Sequence, residues 1–174
     1  MTARAFCACW PAAPAAEALQ RWPVGSARRA DVRDLHLTLH FLGDVPVPVL
    51  PTLGAALRDL HSAPCVIRLC RAEFWPVAGV IVALPEVIPT ALSELHAELG
   101  GRIGAVLPDY TTAPATAFRP HVTLTRRAQQ APPAVAPGPP VELEIAAVTL
   151  ALTAPEPGGP RYRAFVSEPL RGWR

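Results

Sequence analysis

A four-residue string occurs twice in this chain, once in each half. It reads His-Leu-Thr-Leu at residues 36–39 and His-Val-Thr-Leu at residues 121–124. Side chains two residues apart in a strand project from the same face, so each copy would present one imidazole and one hydroxyl together. Two such strands facing each other would gather two histidines and two threonines around one small site. The repeat therefore predicts a fold in which both halves contribute a strand to a shared cleft.

The residues around each copy alternate between apolar and polar. Apolar residues that share one face are Leu35, Leu37, Leu39 and Phe41 in the first copy and Phe118, Val122 and Leu124 in the second. The opposite faces carry His36, Thr38 and His40, and His121, Thr123 and Thr125. A period of two is typical of a strand with one buried face. We therefore predict strands at 35–42 and 118–126, with the leucine face in a core and the histidine face in a cleft.

The other predicted elements follow from hydrophobic periodicity and from the positions of proline and glycine. The further strands are 4–10, 65–74, 78–84, 141–152 and 161–168, and the helices are 14–22, 48–61 and 89–106. The last two strands should pair through the Pro/Gly turn at 155–160. This order indicates a single α+β domain over residues 1–174, bilobal and internally duplicated. Two antiparallel sheets would face each other across a central cleft, with helices outside.

Composition narrows the class of protein. The chain is 51% hydrophobic and 17% charged, which is typical of a globular protein. No apolar run is long enough for a membrane span, and residues 1–10 lack a signal-peptide pattern, so we expect a cytoplasmic protein. All basic side chains except the histidines are arginines, because the sequence contains no lysine. Walker-type phosphate loops, Schiff-base chemistry and nucleotidyl-lysine intermediates are therefore excluded.

The cysteines and histidines do not form a recognisable metal motif. The four cysteines contain no Cys-x-x-Cys pair, and Cys7 and Cys9 alternate as buried small residues often do. His61 near Cys65 and Cys70 matches no common zinc spacing. His36 and His40 would share a metal only on a helix, which the alternation of leucines argues against. We expect reduced structural thiols, no metal and no cofactor.

Two imidazoles and two hydroxyls in one cleft suit metal-free chemistry on a phosphate. One imidazole can take a proton while the other gives one, and the hydroxyls can donate hydrogen bonds to charged oxygens. A cleft that merely holds a terminal phosphate without turnover would need the same residues. The residues by themselves leave both interpretations open.

The two motif regions resemble the 2H phosphoesterase superfamily, and most closely the RNA 2',3'-cyclic phosphodiesterase family, once called 2'-5' RNA ligases. The matching segments are Leu-His-Leu-Thr-Leu-His-Phe-Leu-Gly-Asp at 35–44 and Phe-Arg-Pro-His-Val-Thr-Leu-Thr-Arg at 118–126, with Phe-Trp-Pro at 74–76. The resemblance implies that His36, Thr38, His121 and Thr123 meet around a cyclic phosphate. It also implies that His36 is the proton donor and His121 the proton acceptor. Val82 departs from the family, which often has an aromatic residue there.

The resemblance implies metal-independent hydrolysis of a 2',3'-cyclic phosphate at an RNA end, giving a phosphomonoester that we expect to be the 2'-phosphate. The substrate would be RNA with such an end or a cyclic nucleotide, and we expect a monomer with no membrane partner. Alternatives are nucleotide-independent 2'-5' RNA ligation, a small cyclic-nucleotide phosphodiesterase and a noncatalytic RNA-end binding module.

Several residues outside the motifs are candidate substrate contacts. The family commonly has a basic residue at Arg126, but strict alternation turns it away from His121 unless the strand ends or bulges there. His40 shares the histidine face one pleat further on, and we expect it to meet solvent rather than the cleft. Trp75 or Trp22 could stack on a base. The arginines at 21, 28, 29 and 33 form either a substrate-facing patch or a solvated loop.

Overall fold

Strands and helices alternate along the chain, which confirms the α+β class. The computed structural model describes residues 1–25, 27–110, 118–126, 136–155 and 157–172. The strands in these ranges are β1 (Thr2–Cys9), β2 (Leu37–Pro46), β3 (Cys65–Trp75), β4 (Val80–Pro85), β5 (Val122–Thr123), β6 (Val141–Ile145), β7 (Ala147–Thr153) and β8 (Tyr162–Pro169). The α-helices are α1 (Ala13–Gln20), α2 (Leu50–Ala56) and α3 (Thr90–Val106). None of these helices has both the length and the apolar character that a bilayer span requires.

The eight strands form one antiparallel sheet, in the order β6-β3-β4-β5-β2-β1-β7-β8. We predicted two separate sheets, and this detail is wrong because the two motif strands pair with each other. Leu37 of β2 lies opposite Val122 of β5, and this contact joins the halves at the centre of the sheet. Pairing the motif strands satisfies backbone groups that two separate sheet edges would leave open.

The strand order nevertheless repeats on either side of the central pair. One half consists of β2, β1, β7 and β8, and the other of β5, β4, β3 and β6. In each half a strand, a helix and a motif strand follow one another, as β1-α1-β2 and as β4-α3-β5. This element order agrees with an internal duplication, which stays a prediction because the remaining sequence of the halves shows no clear identity.

The predicted strand at 141–152 is two strands that belong to opposite halves of the sheet. β6 pairs with β3 and alternates between buried and exposed residues, as expected at a sheet edge. β7 pairs with β1 and β8 and is buried along its length apart from its two ends. Between them, the carbonyl of Ala146 accepts a hydrogen bond from the Leu170 amide at 2.8 Å. The predicted pairing of this segment with the last strand is thus confirmed for β7 alone.

The main core covers the face of the sheet that carries the motif leucines. Leu35, Leu37 and Leu39 are buried in it, which confirms the predicted orientation of the first motif strand. Helix α3 contributes a fully buried stripe at helical spacing, consisting of Leu92, Leu95, Leu99 and Ile103. A smaller apolar cluster lies apart from this core, with Phe6, Ala8 and Ala151 buried and Trp10 and Tyr162 packed against them. Because Phe6 alternates with the core residues Ala5 and Cys7 along β1, this cluster lies on the opposite face.

The cysteines are free thiols, as predicted. Cys7 and Cys9 are buried in the core, and Cys65 and Cys70 are partly buried. Across the described ranges, no three His, Cys, Asp or Glu side chains are grouped so that they could hold a metal ion.

Candidate active site

The register between β2 and β5 arranges the four motif side chains in a quadrilateral. With Leu37 opposite Val122 in an antiparallel pair, His36 faces Thr123 and Thr38 faces His121. Directly opposed side chains have Cβ atoms about 4.5–5.5 Å apart, and diagonal neighbours about 7–8 Å. Each histidine therefore lies beside the other motif's threonine, and the two imidazoles occupy one diagonal. A phosphate group at the centre would have an imidazole on either side.

A cleft of about 430 Å³ opens over this arrangement. Its described lining consists of Arg4, Phe6, His36, Thr38, Phe41, Thr123, Arg126, Thr153, Arg161 and Tyr162. The structure thus brings three of the four predicted motif residues into one cavity. His121 is not part of that lining, and the strand register puts it next to Thr38.

Both motif histidines are oriented by the same backbone hydrogen bond. His36 Nδ1 lies 2.7 Å from the carbonyl oxygen of Asp34, and His121 Nδ1 lies 2.7 Å from that of Arg119. A carbonyl oxygen can only accept, so Nδ1 carries the proton in each neutral ring. Nε2 is left as the nitrogen that can exchange a proton with a bound molecule. In both motifs the acceptor is the residue two positions upstream of the histidine.

Three aromatic rings surround His36. The ring centroids of Phe6, Trp10 and Tyr162 lie 5.0, 5.1 and 5.0 Å from that of the imidazole. Trp10 stacks on the ring at 28°, and Tyr162 meets it edge to face. These apolar surfaces remove water from the imidazole on several sides.

His121 has a different neighbourhood, built on a single tryptophan. Its ring centroid lies 4.5 Å from that of Trp75, and the guanidinium of Arg119 lies 4.7 Å from the same indole. Glu73 holds this group together, because its carboxylate accepts from Trp75 Nε1 at 3.0 Å and from Arg119 at 2.9 Å. Trp75 is therefore next to the second motif, as a substrate-contacting residue must be.

The two environments affect the imidazole pKa values to different degrees. Burial among the aromatic rings lowers the pKa of His36 to about 4, and the positive charge of Arg126 acts in the same direction. Burial also lowers the pKa of His121, with a contribution from Arg119. Both rings are therefore neutral at pH 7 in the free protein. A bound phosphate anion would act in the opposite direction on either ring.

We expect opening of the aromatic cage to raise the pKa of His36. Replacing Trp10 with alanine admits water to the imidazole, so its pKa should move from about 4 towards the ordinary value of 6.5. An NMR pH titration measures the shift, with the His36→Ala variant to assign the resonance. Trp75→Ala is the control, because that indole contacts His121 instead. Equal His36 titrations in the wild type and in Trp10→Ala would refute this cause.

An irregularity in β2 reverses the alternation just after the first motif. Cys7 pairs with His40 and Ala8 with Thr38, which leaves Leu39 as an extra residue in β2. Such a bulge turns the following side chains to the other face. Leu39 and His40 are consequently both buried, whereas Phe41 is 52% exposed and lines the cleft.

His40 is therefore a core residue, and the expectation that it meets solvent is wrong. It is only 3% exposed, and its Nε2 lies 2.8 Å from the carbonyl oxygen of His96. Its Nδ1 lies 2.9 Å from the hydroxyl of Tyr110, and its ring stacks on that of His96 at 4.2 Å. Burial lowers the pKa of His40. These contacts give it a structural role behind the sheet.

The second motif has an equivalent irregularity at the same position. The amides of Leu124 and Thr125 both donate to the carbonyl oxygen of Ile81, at 2.8 and 3.3 Å. Two successive amides on one acceptor mark a bulge, and strand β5 ends at Thr123. Thr125 is fully buried, and its hydroxyl accepts from the Ile81 amide at 2.9 Å. The residue that returns to the cleft is Arg126.

Arg126 thus meets the condition under which it could contact a substrate. It lines the cleft with His36, Thr38 and Thr123, and its guanidinium donates to the hydroxyl of Tyr162. By position it is the counterpart of Phe41, as Thr125 is of His40. The motif in three dimensions is therefore His-x-Thr followed by two buried residues and then a residue that faces the cleft.

The other predicted contacts divide in the same way. Trp22 is fully buried and donates to the carbonyl of Pro139, so it cannot stack on a base. His36 and His40 point to opposite faces of the sheet, which rules out the shared metal site that we considered. Sequence reasoning missed Phe6, Tyr162 and Arg161 as cleft residues. Only Phe6 carried a signal, because it alternates with the core residues of β1.

Comparison with known proteins gives consistent relatives. The chain is 32% identical over 155 residues to the RNA 2',3'-cyclic phosphodiesterase of Thermus thermophilus, covering 79% of this chain and 73% of that protein. Its fold matches E. coli LigT complexed with 3'-AMP, with a TM-score of 0.83, 24% identity and coverage of 98% and 99% of the two chains. A crystal structure of another Thermus thermophilus protein matches with a TM-score of 0.74 and 27% identity, covering 98% of this chain and 100% of that one.

No family model matches the chain. The relationship rests instead on the curated relative, whose identity extends over most of both sequences. The paired motifs and the fold shared with phosphoesterases point in the same direction. The chain belongs to the RNA 2',3'-cyclic phosphodiesterase family of the 2H phosphoesterases.

Proposed function

We propose that this protein hydrolyses the 2',3'-cyclic phosphodiester at the end of an RNA chain, using its two motif histidines as acid and base. The observation that carries the proposal is the diagonal pair of imidazoles, each held through Nδ1 and each with Nε2 left over. An in-line displacement at phosphorus needs proton transfer on opposite sides of the phosphate. Two groups on one diagonal of the quadrilateral meet that requirement.

His121 acts as the base and His36 as the acid, in accordance with the family resemblance. His121 Nε2 removes a proton from a water molecule, whose oxygen forms the new bond to phosphorus. The bond from phosphorus to one ribose oxygen breaks, and His36 Nε2 gives that oxygen its proton. The product is a phosphomonoester, which we expect at the 2' position, with the 3' oxygen as leaving group.

The acid role requires His36 to be protonated when substrate is bound. Its pKa of about 4 in the free protein means that the substrate must supply the stabilisation of the charged ring. A cyclic phosphate carries one negative charge next to the imidazole, which favours the imidazolium in a site poor in water. Protonation of His36 is therefore coupled to binding of the anionic group.

Three further side chains can receive the charge that gathers on the nonbridging oxygens. Thr38 and Thr123 occupy the other diagonal, and Arg126 reaches the same cleft beside them. Hydrogen bonds from a hydroxyl or a guanidinium to a charged oxygen strengthen as that charge grows. All these groups belong to one chain, so we propose that the monomer is active.

The test is incubation of an RNA that ends in a 2',3'-cyclic phosphate with the protein in excess EDTA. We expect full hydrolysis despite the chelator, because proton transfer at both oxygens does the work that metal ions would otherwise do. Separation of 2'- and 3'-phosphorylated ends identifies the leaving oxygen. Loss of activity in EDTA that returns with added divalent cation would contradict the mechanism. Binding of the RNA end without turnover would instead favour a noncatalytic module.

A further inference from the structure

A second cavity continues from the candidate active site. It has a volume of about 280 Å³ and shares Arg126 and Arg161 with the catalytic cleft. Its described lining has nine residues, of which four are arginines: Arg28, Arg29, Arg126 and Arg161. We call this cavity the arginine groove. No aromatic side chain is among its described lining residues.

The arginine groove is built by backbone contacts between distant segments. The Ala30 amide donates to the Leu124 carbonyl at 2.8 Å, and the Arg126 amide donates to the Arg28 carbonyl at 3.1 Å. These bonds attach the arginine-rich loop to the end of the second motif. On the other side, the amide of Arg161 donates to the carboxylate of Asp34 at 2.8 Å. Three parts of the chain therefore converge beside the cleft.

The guanidinium groups of the groove are available to an anion. Within the described ranges, Arg28, Arg126 and Arg161 form no ion pair with a carboxylate. Arg28 and Arg161 are also exposed.

The acidic residues of the groove do not cancel this charge. Asp31 is bound by Arg33, which donates to both of its carboxylate oxygens at 2.9 and 2.7 Å. Asp34 is occupied through one oxygen by the Arg161 amide. The four arginines therefore outnumber the carboxylates, and the lining keeps an excess of positive charge.

We infer that the arginine groove binds the internucleotide phosphodiester immediately upstream of the cyclic end, so that the substrate class is an oligonucleotide rather than a free cyclic mononucleotide. In such a chain the next phosphate is attached to the 5' oxygen of the nucleoside that carries the cyclic phosphate. It is thus one ribose away, and the groove begins at residues that the two cavities share. This inference rests on the proposed function.

The groove is suited to the backbone of RNA and not to its bases. Guanidinium groups bind phosphate oxygens in pairs of hydrogen bonds, whereas base recognition without pairing uses aromatic stacking. Contacts to phosphate alone carry no sequence information. Binding in the groove should therefore be independent of the upstream base.

The experiment compares two substrates that differ by one internal phosphodiester. They are adenosine 2',3'-cyclic phosphate and the dinucleotide ApA with a 2',3'-cyclic end. Arg28→Glu is the test variant, because Arg28 lies outside the catalytic cleft and contacts Arg126 only through its main chain. Arg163→Glu is the matched control, since Arg163 is exposed, lies on β8 and lines neither cavity.

We expect the wild type to have a lower KM for the dinucleotide than for the mononucleotide. Arg28→Glu should raise the KM for the dinucleotide roughly tenfold and change that for the mononucleotide less than about twofold. Arg163→Glu should leave both values near those of the wild type. Equal KM values for both substrates in the wild type would overturn the inference, as would equal effects of the two variants. Failure of the wild type to hydrolyse either substrate would overturn the proposed function itself.

Discussion

Replacement of His36 or His121 by alanine should each reduce hydrolysis of a cyclic-phosphate RNA by about 10²- to 10⁴-fold, because each variant lacks one of the two proton-transfer groups. The folded state should persist, since both rings lie at a cleft and make only one backbone hydrogen bond each. Steady-state kinetics measures the loss, and circular dichroism checks the fold. His61→Ala is the control, because it removes an imidazole from outside the cleft.

A second substrate separates the acid from the base. A phosphodiester with a 4-nitrophenolate leaving group needs no proton on the departing oxygen, so it depends less on the acid. His36→Ala should therefore lose much less activity on this substrate than on RNA, whereas His121→Ala should lose activity on both. The reverse pattern would exchange the two roles. Near-normal RNA hydrolysis by either alanine variant would eliminate the histidine pair as the catalytic device.

Replacement of Thr38 or Thr123 by valine should lower kcat while preserving shape. A hydroxyl that donates to a charged oxygen contributes about 1.5–3 kcal/mol, which corresponds to a loss of roughly 10- to 100-fold in rate. The loss should be smaller than that of either histidine variant. It should appear in kcat more than in KM, because the oxygens gain charge on the way to the transition state.

Thr125→Val provides the matched control from the same strand segment. Thr125 is fully buried, and its hydroxyl is the acceptor for the Ile81 amide. Valine leaves that buried amide unsatisfied, at a cost of about 1–3 kcal/mol, so Tm should fall by roughly 2–12 °C. The kcat of this variant should stay near that of the wild type. A large loss of kcat in Thr125→Val with unchanged Tm would show that this hydroxyl, too, faces the substrate.

Periodicity was sufficient for the local structure around the motifs. The alternation of Leu35, Leu37 and Leu39 predicted which face is buried, and the structure confirms it. Most helices and strands were also predicted near their observed positions. Hydrophobic burial acts residue by residue along a strand, which explains why a pattern in the sequence reports it.

The bulges could not be predicted, and they exchange the roles of two candidates. Strict alternation put His40 on the cleft face and Arg126 on the opposite face. An extra residue at Leu39, and two amides that share the Ile81 carbonyl, move His40 into the core and Arg126 into the cleft. A bulge depends on how the partner strand pairs, so it is not contained in the strand's own pattern.

The sequence by itself determined the chemical groups of the site and the face on which each motif presents them, because side-chain direction follows from the two-residue period of a strand. Only the tertiary structure decided that β2 and β5 pair directly, which sets each histidine opposite the other motif's threonine. It also decided the aromatic cage of His36 and the arginine groove, since both draw on segments far apart in the chain. Pairing and packing between distant segments are determined by the whole core, and no local pattern records them.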